Sequence, residues 1–277
     1  MGTIIIATDF SSIALNAVNY GISFAKEYAL KIVLFHAYQA PLSFSEIPIT
    51  DVGIEELSIL SKERLDELKK DLAHIHGDTL HIQCESVMGE LVFALNGFCE
   101  KVKPICVIIG SRGESMLENI FLGSNSHELI RKLEFGLLIV PPGGTFKGIT
   151  QFTLACDMTD VVMTIPDQMI KTFLRLTEAR INIVTIYKDD MTEPEKVEQS
   201  LLLQTMLQEY DPVFKTLVSK DISRAIHQYA EESNTDLLIV IPKIHRGLAA
   251  IFEKKHVDDF VYHTHIPILS LPAENKN

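Results

Sequence analysis

Strand-sized segments rich in apolar residues recur five times in each half of this 277-residue chain, with Leu80–Val87 alternating, and helical segments separate them. In the first half the runs are Ile4–Thr8, Lys31–Ala37, Leu80–Val87, Ile105–Ile109 and Leu137–Val140. Most lack the apolar–polar alternation of a strand with one wet face, so they read as strands buried on both faces. The segment Ser11–Tyr28 carries Ile13, Ala14, Ala17, Val18, Ile22 and Ala25 at helical spacing, with Ser11 or Ser12 available as its cap. A long amphipathic helix is expected near Gly53–His74, a third over Gly89–Lys101, and a fourth from Ser124. Strands alternating with helices predict an α/β fold whose parallel sheet is covered on both faces.

The second half repeats the series. Phe152–Cys156, Asn182–Tyr187, Val213–Val218, Leu237–Ile241 and Ile268–Leu271 match the five runs, and Ser223–Glu232 matches the third helix. The first run of each half leads into an aspartate, Asp9 and Asp157. A repeat of domain size predicts two like units, residues 1–144 and 145–277, joined by the glycine-rich link Gly143–Gly148.

Charge and composition exclude several classes. The formal charge of −12 argues against a nucleic-acid or anionic-membrane surface, which needs a basic face. It does not argue against a pocket for one small anion. No apolar run is long enough to span a membrane, and the N-terminal residues read as the first strand, not a signal peptide. Cys84, Cys99, Cys106 and Cys156 show no paired spacing and predict reduced thiols in a cytoplasmic protein.

Gly110-Ser111-Arg112-Gly113 follows the fourth run, and Gly123-Ser124 opens the next helix. Two glycine turns and a helix N-terminus together can present backbone N–H groups to an anion. A Gly-x-x-Gly after a strand is also an ordinary tight turn, and an aspartate after a strand is also an ordinary helix cap. In an open α/β sheet, however, ligands collect beyond the strands' carboxyl ends where strand order reverses. If the first and fourth strands are neighbours, Asp9 and the glycines face one cleft. A carboxylate there suits the donors of a ribose or base, and the glycine turns suit phosphates.

At these residues the sequence resembles the universal stress protein family. Gly110, Gly113, Gly123 and Ser124 fit the Gly-x2-Gly-x9-Gly-Ser/Thr pattern of its nucleotide-binding members without a gap. Ala7-Thr8-Asp9 fits the segment with the family's early aspartate, which contacts adenosine. Val33–Ala37 fits the segment whose backbone meets the adenine, which adds Ala37. The resemblance implies five-stranded parallel sheets of the adenine nucleotide alpha hydrolase-like type, two in tandem, packed through their fifth strands as a pseudo-symmetric pair. It also implies ATP, AMP or ADP, with Mg as a companion, in the first unit. Ser124 would offer its hydroxyl, and the amides of Ser124 and Asn125 would face phosphate. Asn125 replaces an aliphatic residue found in many members. Arg112 either adds charge from the loop or is a solvated surface arginine.

The second unit departs from the pattern. Pro242-Lys243-Ile244-His245 stands in place of the glycines, and Lys254-Lys255-His256 near the second turn. Proline removes an N–H and bulky side chains close the approach, so no nucleotide is expected there. The histidine clusters at His74, His76 and His81, and at His256, His263 and His265, read as surface residues, so no metal site is assigned. No P-loop and no dinucleotide fingerprint occurs. The expectation is an adenine-nucleotide-binding regulatory protein of the stress response, with no catalytic residue assigned. Its protein partner stays unnamed, and association beyond the internal pair is left open. The alternatives are a slow ATP hydrolase, with Glu114 and Glu118 as weak candidates, and a ligand-free interaction module.

Overall fold

A computed structural model describes residues 1–39, 51–77, 80–111, 124–187, 194–242 and 265–274. The first half runs β1 (Thr3–Ala7), α1 (Ser12–Glu27), β2 (Lys31–Tyr38), α2 (Asp51–His76), β3 (Ile82–Met88), α3 (Leu91–Val102), β4 (Cys106–Gly110), α4 (Ser124–Lys132) and β5 (Leu137–Val140). The second runs β6 (Gln151–Ala155), α5 (Val161–Thr164), α6 (Asp167–Thr177), β7 (Arg180–Tyr187), α7 (Pro194–Met206), β8 (Val213–Val218), α8 (Ile222–Glu232), β9 (Leu237–Val240) and β10 (Ile268–Ser270).

The strands form one sheet in the order β3-β2-β1-β4-β5-β10-β9-β6-β7-β8. Among the described residues every pairing is parallel except β5 with β10, which run antiparallel with Ile268 opposite Ile139 and Leu269 opposite Leu138. The two halves therefore meet through their fifth strands, as expected, and share a continuous ladder.

The apolar runs explain the layering. Along β1, Ile4 and Ile6 enter one core cluster while Ile5 and Ala7 enter the other. The same division separates Cys106 and Ile108 from Val107 and Ile109 on β4. Helices α1, α2, α6 and α7 cover one face, and α3, α4 and α8 the other. Each cluster draws residues from both halves. The link between the halves is anchored by Phe146, whose ring packs edge-on against Tyr20 and Phe24 at 5.4 and 5.6 Å.

One difference between the halves has a local cause. The single helix α1 has two successors, α5 and α6, after β6. Ile165 precedes Pro166, and proline forces the residue before it out of helical geometry. Ile165 accordingly sits extended at φ −84°, ψ 118°, and a new helix starts at Asp167.

Candidate functional site

At the end of β1 the chain folds back on itself through three local bonds. The buried Thr8 accepts the Phe10 N–H on Oγ1 at 3.0 Å. Asp9 accepts the Ser11 N–H on Oδ1 at 3.0 Å. Ser11 caps α1 by accepting the Ala14 N–H at 3.2 Å. Phe10, between them, lies at φ 65°, the left-handed region that most side chains avoid.

Strand order reverses here, because β1 pairs with β2 on one side and β4 on the other. The carboxyl ends of these strands, with the turn after β3, the starts of α1 and α3, and α4, enclose a cleft of about 560 Å³. Its lining includes Ala7, Thr8, Asp9, Ala37 and Gly110, so residues predicted from distant parts of the sequence do meet. Ser126 and Leu129 also border it, which brings the first turn of α4 to the same space. Ser124 and Asn125 open that helix, and nothing is described of their side chains. Arg112, Gly113 and Gly123 lie outside the described residues, as do Lys243 to His245 and Lys254 to His256 of the second unit.

Ladder geometry assigns a direction to Ala37. Phe35 O accepts the Thr8 N–H at 2.9 Å, so odd-numbered residues of β2 turn their N–H and C=O toward β1. At Ala37 that strand has ended, and both groups face the cleft. His36 Nδ1 lies 2.7 Å from the Thr8 carbonyl, where the next ladder bond would fall. A carbonyl only accepts, so Nδ1 is the donor in this contact.

Gly110 has a packing role besides any contact with a ligand. A Cβ there would stand 2.6 Å from the Ile13 carbonyl oxygen and 2.8 Å from Ile13 Cγ2. The absent side chain lets the start of α1 close on the end of β4. The described lining of the cleft is acidic. Asp9, Glu90 and Glu128 line it, and no lysine or arginine stands among its described lining residues. Glu128 is bridged along α4 to Lys132.

The second unit repeats the aspartate turn. Asp157 Oδ1 accepts the Thr159 N–H at 3.1 Å, Met158 sits at φ 53°, and Cys156 Sγ accepts the Met158 N–H at 3.4 Å. This turn therefore forms in both units, including the one without the glycines. Sequence reasoning missed His36, Glu90, Ser126 and Glu128 as lining residues, since nothing in residue spacing reports which side chains border a switch point. His76 lies near Lys26, with Nδ1 3.3 Å from Nζ. The four cysteines are thiols, with Cys84 half-buried and the others buried. Among the described residues no helix is long and apolar enough to cross a membrane.

The mostly parallel α/β sheet opens a cleft at its switch point, the place where ligands collect in open α/β folds. The universal stress protein family model matches residues 1–141, and the chain belongs to that family. A curated relative, Universal stress protein MJ0531 of Methanocaldococcus jannaschii, is 28% identical over 139 residues, covering 50% of this chain and 80% of that protein. Over the full chain the fold is similar to the crystal structure of a universal stress protein from Archaeoglobus fulgidus, with TM-score 0.67, 15% identity, and coverage of 100% of this chain and 98% of that one. A protein of unknown function from Pseudomonas aeruginosa, PA1789, is similar over 98% of this chain and 92% of its own, with TM-score 0.61 and 11% identity.

Proposed function

We propose that residues 1–144 form a unit that binds one adenine nucleotide, and that residues 145–277 form a degenerate unit that binds none. The observation that carries this reading is the convergence of Asp9, the backbone of Ala37, Gly110 and the first turn of α4 on one cleft. The Ala37 N–H and C=O offer a donor and an acceptor, which complements N1 and the 6-amino group of adenine. Asp9 accepts from ribose hydroxyls. The N-terminal turn of α4, with the glycine turns before it, attracts phosphate through its N–H groups.

The acidic lining adds a requirement. Asp9 and Glu90, beside a Glu128 already paired with Lys132, repel a bare triphosphate, and their hard oxygen donors suit Mg²⁺. ATP would therefore enter as its magnesium complex, with lower charge. Binding then biases the surface offered to a protein partner, which gives the chain a regulatory role in the stress response. Mass spectrometry of small molecules released from the purified protein, with thermal melts in Mg-ATP, tests the reading. Ligand at 100 times Kd should add about 2.7 kcal/mol of stability. No released adenine nucleotide and no shift at millimolar Mg-ATP would discard it.

A further inference from the structure

We infer that Arg64 is a positioning residue for this nucleotide site, an inference that rests on the proposed function. Arg64 belongs to α2, and α2 contributes no residue to the described lining of the cleft. Its guanidinium carbon lies 4.2 Å from the centroid of the Phe10 ring. On the same ring Phe10 meets His36, centroid to centroid at 4.7 Å and tilted by 53°. His36 in turn holds the Thr8 carbonyl. Arg64, Phe10 and His36 thus connect α2 to both strands that carry the nucleoside contacts, Asp9 after β1 and Ala37 on β2.

The loop needs such a hold. A left-handed backbone at a bulky residue persists only where its surroundings over-determine it. The second unit provides a comparison, because its equivalent, Met158, is 3% exposed and is fixed by the core. Phe10 is only half-buried, and a cation from α2 faces its ring. Phe10 packs only partly against the core and takes Arg64 as a further contact, so its hold depends in part on where α2 sits. By linkage, nucleotide in the cleft and α2 docked on Phe10 favour one another.

Titration calorimetry with Mg-ATP on the full-length protein, in parallel for wild type, Arg64→Ala, Arg64→Met and Arg64→Lys, tests this. An exposed cation over a half-buried ring contributes modestly, so Arg64→Ala and Arg64→Met should each raise Kd about two- to fivefold, while Arg64→Lys stays near wild type. Amide exchange supplies the second readout. Mg-ATP should slow exchange around Arg64 in wild type and leave it unchanged in Arg64→Ala. Wild type that binds while Arg64→Ala binds equally well, or Arg64→Met that matches Arg64→Lys, overturns the positioning role alone. Wild type that binds no nucleotide overturns the proposed function and this inference with it.

Discussion

Asp9 and Asp157 accept the N–H two residues ahead at nearly the same distance, 3.0 and 3.1 Å. An asparagine side-chain oxygen can accept that bond too, so Asp9→Asn separates the turn from the charge. The expected outcome is stability within about 0.5 kcal/mol of wild type in urea melts, as for a substitution that keeps its local bond. Affinity for Mg-ATP should fall about 10- to 100-fold, the range for a lost hydrogen bond to a charged group. Asp157→Asn should change neither quantity. Unaltered affinity in Asp9→Asn would remove the carboxylate from the site. A second prediction concerns the thiols. Burial, and then the charge of Glu100, push Cys99 from 9.0 up to about 12, and burial pushes Cys106 up as well. A raised pKa means less thiolate at neutral pH, and the thiolate is the reactive form. Iodoacetamide should therefore spare both residues in the native protein and label both in urea. The same shifts set a pH dependence. Below pH 9 the thiols are protonated whether folded or unfolded. As pH rises past 9 the unfolded state ionises first, so stability is lost progressively toward the folded values. Urea midpoints should fall over that alkaline window, and Cys99→Ala should flatten the fall.

At the level of elements, α1 is held at its start by Ser11, not Ser12, although either serine was compatible with the apolar spacing. Ser11→Ala should cost about 1 kcal/mol in a denaturation midpoint, and Ser12→Ala within about 0.5. Equal costs would place the cap elsewhere. Strands were the most legible elements, since runs such as Leu137–Val140 and Leu237–Val240 are buried on both faces and need no alternation to be recognised. Helix ends were less legible because they are decided by single backbone states. Lys103 and Glu178 each stop a helix in the left-handed region, and no residue type announced it. Pro166 bars Ile165 from helical geometry, and the structure shows two helices around it, with Asp160 left-handed before the first. The site followed the same division. Gly110 and Asp9 stood out by type and position. The direction of the Ala37 backbone needed the β1–β2 register, and the Arg64–Phe10–His36 stack needed a contact between residues 54 positions apart. Gly110 also illustrates how one residue answers to two constraints, since the approach of Ile13 alone excludes a side chain there.

For the whole molecule, the joint between halves is short in backbone terms, three registered pairs between β5 and β10. Such a ladder alone would allow the halves to hinge. The side chains argue otherwise. Leu138 and Val140 share one core cluster with Phe152, Leu269 and Leu271, while Leu137 and Ile139 share the opposite cluster with Ile268. Phe146 adds a third tie by packing on α1. The halves should therefore unfold together. Leu269 is fully buried, flanked by β5 and β9, so truncating it empties the centre of the joint. Leu269→Ala should cost about 2–5 kcal/mol, as buried leucine truncations do. Differential scanning calorimetry should show one transition in wild type and one, at lower temperature, in the variant. The nucleotide supplies the sharper version of this experiment. Its proposed cleft lies wholly in the first half, yet in a cooperative molecule Mg-ATP must raise the melting of the second half by the same amount. Tryptophan is absent from the chain, so one introduced at the partly exposed Phe214 of β8 gives a probe of that half. A probe transition that ignores Mg-ATP while the first half responds would mean that the shared core does not couple the halves.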